Sequence, residues 1–194
     1  MQASDIEVIT EWPSHLHVNN SYRVKVPSRI HYGGQRSGNL WGYNIPPGSV
    51  AYSWTKLLLD QTVALDEFDD PSLRDFVGNG LLGLPAGKTP REVVTDYLSE
   101  LYRHTMFVLE RKITAEVLRV TPIEFWFTMP AIWSEEAQYA TKNAAQRAGF
   151  QSRPKDKINM IREPAAAAII TLNELLSDDR SSLIEVSILC NGIK

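Results

Sequence analysis

The stretch FTMPAIWSEEAQYATKNAAQRAGF, residues 127 to 150, leaves an apolar run at a proline and settles into small residues closed by a glycine. Just upstream, IEFWFTM (123–129) is short, apolar and rich in aromatic residues, which reads as a buried strand halted by Pro130. Ser134 stands where a helix N-cap is wanted. Glu135 and Glu136 follow in the first turn, favourable at the positive end of the helix dipole, and Gly149 suits the position just past the last turn. Ala137, Ala140, Ala144 and Ala148 form a stripe of small side chains at helical spacing, so this helix can approach a neighbour closely. INMI (158–161) then gives a second strand and EPAAAAIITLNELL (163–176) a second helix, with Pro164 at its first turn. Strand, helix, strand, helix implies parallel strands with helical crossovers, an α/β arrangement.

Outward from this core the texture changes. Residues 1–88 are rich in Gly, Pro, Tyr and Trp, and three segments there alternate as strands do: IEVITEW (6–12), YRVKVPSRIHY (22–32) and NLWGYNIP (39–46). AYSWTKLLLD (51–60) reads as a short helix carrying Lys56, so the first half is α+β in character. Residues 89–111 carry the clearest helix signal. Thr89, Pro90 and Glu92 supply an N-cap, a first-turn proline and a capping-box carboxylate, and Val94, Leu98, Leu101, Thr105 and Val108 follow on one face. LIEVSILC (183–190) is strand-like and is expected beside INMI or IEFWFTM.

Composition narrows the function classes. With 194 residues, 43% hydrophobic and 22% charged, the chain has material for one large domain or two small ones. A formal charge of −3 supplies no basic field for a phosphate backbone, which argues against nucleic acid. The single cysteine, Cys190, permits no intramolecular disulfide and lacks an evident base that would make it a nucleophile. No apolar run reaches the roughly twenty residues that cross a bilayer, and MQASDIEVITEW lacks the features of a secretory signal, so a soluble, cytoplasmic protein is expected. GLPAGKT (83–89) resembles a phosphate-binding P-loop but has Leu82 where the first glycine is required, and a capped helix explains Thr89 better. His15 and His17 have no third ligand spaced to complete a metal site, and no G-x-S-x-G elbow exists.

Glu163 fits a purely structural account poorly, because a glutamate before a first-turn proline is a weak short cap. It is either a solvated acid near a helix dipole or, lying after an apolar strand, a ligand-handling group at the carboxyl end of a parallel sheet. Such a carboxylate could orient a catalytic or metal-bound water.

FTMPAIWSEEAQYATKNAAQRAGF followed by INMIREPAAAAIITL resembles the strand-helix-strand-helix signature of seventy-kilodalton heat-shock (DnaK-like) chaperones, with its V-T-V-P-A, A-T-x-x-A-x-x-A-G and E-P-x-A-A-A motifs. PAIW, EWP (11–13) and GKTPREVVTDYL (87–98) are similar to the divergent twelve-type branch, abundant in fungi. IEVITEWP with VKVPSRIHY resembles the end of the first hairpin system and its T-P-S-x-x-x-F segment, and SWTKLLLD the K-x-L-I-G segment, so the likeness runs from about residue 6 to about residue 178. The resemblance implies the first lobe of an actin-like ATPase, a ribonuclease H-like fold, in which two lobes close over ATP and magnesium. In it, residues 13–88 would be a β-rich inserted subdomain, residues 89–178 the core and residues 179–194 an atypical tail. Lys56 would approach the transferred phosphate and Glu163 would help position the water layer around the metal.

Departures from the pattern carry equal weight. Upstream of DIEVITEW there is no acidic residue with a G-T-T-like turn, and SSLIEVSILCNGIK stands where D-x-G-G-G-T would follow. A truncated lobe is the expectation, with neither ATP nor magnesium bound by the chain alone. The rival expectations are a full enzyme completed by another chain, a non-catalytic module binding an intact chaperone or its co-chaperones, or an incomplete product without a role. Missing central strands would also leave apolar sheet edges unpaired and favour self-association.

Overall fold

The computed structural model describes residues 7–14, 23–33, 38–53, 55–60, 83–166, 168 and 185–188. Helix α1 (Pro90–Ile113) is the element on which the others pack. Its capping box forms as the sequence predicts: the Thr89 hydroxyl accepts from the Glu92 backbone N–H at 3.3 Å, and the Glu92 carboxylate accepts from the Thr89 backbone N–H at 2.8 Å. Hydrogen bonds from Thr89 hold the Glu92 carboxyl below its ordinary range.

One face of α1 meets a small antiparallel sheet of β1 (Arg29–Tyr32), β2 (Asn39–Trp41) and β3 (Tyr52–Ser53), in the order β2-β1-β3. Ile30 and Trp41 are buried with Val93, Tyr97 and Leu101, and the Trp41 and Tyr97 rings meet edge to face at 6.0 Å. Another face meets helix α3 (Glu135–Ala148). Ser134 caps α3 by accepting from the Ala137 N–H, and Gly149 closes it in the left-handed conformation, φ 112°. A β-carbon at Gly149 would come within 2.8 Å of the Tyr102 ring, so both the backbone and the close helix approach require glycine. The alanine stripe is buried throughout.

Beneath these helices runs a parallel sheet of β4 (Glu124–Met129), β5 (Lys157–Arg162) and β6 (Glu185–Ile188), in the order β5-β4-β6. The chain is therefore a mixed α/β protein with an antiparallel and a parallel sheet. Phe125, Phe127 and Met129 alternate onto the helix side of β4 and are buried. Phe150 receives Phe125, Phe127 and Tyr102 edge to face, with centroids 4.9, 5.0 and 4.9 Å away. Helix α2 (Ala115–Val120), which the sequence pattern did not mark, breaks from α1 at Thr114, whose φ is +64°. The loop returning to β5 is locked by a buried charge. Asp156, 2% exposed, accepts from the Ile123 N–H at 3.0 Å and from Arg153 at 2.6 and 2.7 Å, while Arg153 also donates to the carbonyls of Leu118 and Thr121. The bond to Asp156 raises the Arg153 pKa.

Several expectations need correcting. IEVITEW forms no strand over its described residues, 7–12; it lies along α1 as an irregular strap. Glu7 pairs with Lys112 at 2.7 Å, and the His104 Nε2 bonds the Glu11 carbonyl at 2.8 Å. Trp12 packs into the core beside α1, Val8 is exposed, and the one backbone bond among the described residues from this segment to the next, Arg23 N–H to the Thr10 carbonyl at 3.4 Å, makes no ladder. Among the described residues of the next segment, 23–32, only Arg29–Tyr32 is strand; Pro27 has no N–H to give a ladder. NLWGYNIP turns into a 3-10 helix at Gly42–Asn44, where Gly42 has φ +58°. Tyr52–Ser53 is strand, and the short helix that follows is of the 3-10 type, Thr55–Leu59. The tail expectation resolves in favour of one neighbour: β6 pairs with β4, from Glu124 opposite Glu185 to Phe127 opposite Ile188. Over those positions β4 has partners on both sides, so the open inner edge expected there is closed by the chain itself. The helix expected at 163–176 is described at residues 163–166 and 168; the rest lies outside the described residues.

Two measurements check this packing. Asp156→Ala should destabilise the fold by about 3 kcal/mol, because it strands Arg153 and the Ile123 N–H; a urea melt with an unchanged denaturant slope reads the loss. His104, stacked near Trp12 and Trp41 with centroids 5.2 and 5.8 Å away, has its pKa lowered from 6.5, burial outweighing its bond to Glu11. The unfolded chain therefore takes up the proton first as pH falls. The stability held by neutral His104 should be complete above about pH 6.5 and decline below it, and His104→Gln should flatten that part of the pH–stability curve.

Candidate functional site

Lys56 and Glu163, drawn from opposite ends of the chain, meet at the carboxyl end of the parallel sheet. The 3-10 helix Thr55–Leu59 follows β3 and is fixed by its own last residues. Leu59 packs against Met129, Trp133 and Ala137, and the buried Asp60 carboxylate accepts from the Ser134 N–H at 2.8 Å. That anchors the helix to the corner where β4 turns into α3. From there the Lys56 ammonium lies 5.3 Å from the Trp133 ring centroid and 3.8 Å from Glu163 Oε1. Glu163 begins the helical turn that follows β5, whose last residue, Arg162, is level with Met129 of β4.

At 3.8 Å the pair attracts without hydrogen bonding. Glu163 Oε1 is buried and has no hydrogen-bond partner, although the side chain as a whole is 41% exposed. The solvated-acid reading therefore holds for only part of this carboxylate. Two further buried polar atoms without a hydrogen-bond partner, Trp126 Nε1 and Thr128 Oγ1, lie on β4, and Thr128 is level with Ile161, two residues before Glu163. A cation beside an indole ring and a carboxylate oxygen shielded from water suit the handling of a polar or anionic group, whereas Thr128 lies on the face of β4 opposite Met129 and is not part of this corner.

Asp60 is the residue that sequence reasoning missed. An acid ending the run KLLLD was the available signal, but nothing local says that its partner lies at Ser134. The P-loop-like GLPAGKT segment serves the fold instead. Gly87 takes φ +76° in a turn closed from the Lys88 N–H to the Pro85 carbonyl at 3.1 Å. Lys88 donates to Asp96 at 2.6 Å, and the Tyr32 hydroxyl donates to the same oxygen at 2.8 Å, tying β1 to α1. Burial, and then the bond to Asp96, pushes the Tyr32 pKa up. His15, His17 and Cys190 lie outside the described residues. Among the described residues no three His, Cys, Asp or Glu side chains converge on a metal position, and no helix is long and apolar enough to cross a membrane.

The donor set fits magnesium and ATP only in part. Lys56 could face one phosphate and Glu163 one metal-bound water, but among the described residues no glycine-rich backbone cradle surrounds them. No family model matches the chain, and no curated protein matches it.

Because the ion pair is long and partly exposed, Glu163→Gln should change stability by less than about 1 kcal/mol. A loss of about 3 kcal/mol or more in a denaturant melt would mean that Glu163 is a structural counter-ion and not a reserved group.

Proposed function

We propose that the chain is part of the first lobe of an actin-like, ribonuclease H-like ATPase domain of chaperone type, with Lys56 directed at the transferred phosphate and Glu163 at the water layer of its metal. The observation that carries this reading is the approach of Lys56 to a sheltered Glu163 oxygen, 3.8 Å apart, at the carboxyl end of β4 and β5. Open α/β sheets handle ligands at that end, and phosphoryl transfer is accelerated by positive charge on the equatorial oxygens and by groups that align water. The same two residues are the ones the chaperone resemblance singles out.

Among the described residues the donors around Lys56 and Glu163 are too few for turnover. We expect ATP chemistry only where phosphate loops and a second lobe complete the site. A second reading is favoured by that small donor set: a non-catalytic module, working in the cytoplasm, that binds an intact chaperone or its co-chaperones.

Calorimetric titration of magnesium and ATP into the full chain should give binding no tighter than about 1 mM and no hydrolysis. Micromolar, magnesium-dependent binding would overturn the inactivity of the isolated chain. In that event Lys56→Ala and Glu163→Ala should each lower turnover far more than stability; if turnover were unchanged in both, the assigned roles would fall.

A further inference from the structure

Away from the Lys56 corner, a groove of about 340 Å³ opens on the antiparallel half, between Arg23 and the Tyr43–Ala51 segment. Arg29 lines it from β1. Its Nε–H donates to the Gly42 carbonyl at 2.9 Å, and its two terminal nitrogens have no protein partner among the described residues. That carbonyl is fixed by the chain: Gly42 has φ +58°, and a β-carbon there would come within 2.5 Å of Val26 Cγ2. A guanidinium pinned at Nε keeps its terminal N–H groups for a planar anion. Arg23 adds positive charge, with its guanidinium carbon 4.1 Å from the Tyr43 ring centroid, and no acidic side chain lines the groove among the described residues.

We propose that this groove binds an acidic side chain from an extended segment of a protein partner, with the carboxylate on Arg29 and neighbouring apolar groups on Ile45, Pro46 and Pro47. A carboxylate suits the donors better than a phosphate does. Phosphate sites use convergent backbone N–H groups, but Pro46 and Pro47 have none, and the Ser49 N–H is spent on the Pro46 carbonyl at 3.2 Å. The proline and isoleucine wall supplies the apolar contact that a free inorganic anion could not use. At about 340 Å³ the groove is at the small end of ligand sites, large enough for a side chain and its flanking backbone.

The test titrates the full chain with the capped peptide acetyl-Leu-Glu-Pro-Leu-amide, its glutamine and phosphoserine counterparts, and free glutarate. The glutamate peptide should bind about tenfold tighter than the glutamine peptide, and tighter than glutarate. Arg29→Lys, which keeps the charge and loses the fork, should weaken it about tenfold. Ser49→Glu leaves the Arg29–Gly42 bond intact and places an acid at the groove, so it should abolish binding while far-ultraviolet dichroism stays that of the parent. Equal binding of the glutamate and glutamine peptides, or no binding of either, would overturn the proposal. So would a preference for phosphoserine, glutarate binding as tightly as the peptide, or indifference to Ser49→Glu.

Discussion

The buried face of α1 is shared by both halves of the protein, and everything else is positioned through it. Val93 and Leu101 are buried in one continuous cluster that reaches Ile30 and Trp41 on the antiparallel side and Phe125, Phe127 and Phe150 on the parallel side. Each fully buried large apolar side chain contributes about 1.5–3 kcal/mol, so neither small sheet needs a separate core while α1 serves both. The Tyr32–Asp96–Lys88 cluster and the strap from Glu7 to Trp12 tie the antiparallel half to the same helix by polar contacts.

That shared wall is what carries Lys56 to Glu163. The 3-10 helix bearing Lys56 leaves the antiparallel sheet, packs on α1 and α3, and is pinned by Asp60 to the first backbone N–H of the α3 cap. Glu163 arrives from the other direction at the end of β5. A structural ion pair would close to hydrogen-bond distance, whereas this one stops at 3.8 Å and leaves a buried oxygen unsatisfied. An unsatisfied buried group costs stability, so the fold carries that cost at the point where its two halves meet.

Much of the parallel half was legible because its signals are local. A capping box, an alanine stripe, a glycine closing a helix and a proline ending a strand are each written within a few residues, and each forms as read. The position of Glu163 after a strand was legible for the same reason. The antiparallel half was less so: Val8 and Ile9 look like strand residues, but with no partner strand among the described residues their segment is held on α1 by Trp12, Glu7 and the Glu11 carbonyl. Nothing near Asp60 names Ser134, and nothing in LIEVSILC chooses β4 over β5, because pairing across long separations is decided by packing and not by propensity.

The meeting of the two halves at Lys56 and Glu163 is most directly read by zero-length carbodiimide coupling of the native chain, followed by mapping of the amide links. The account predicts a Lys56–Glu163 amide that forms in the folded chain and disappears in denaturant. Coupling of Lys56 only to acids near it in sequence, such as Asp60, with Glu163 unmodified by any lysine, would contradict it.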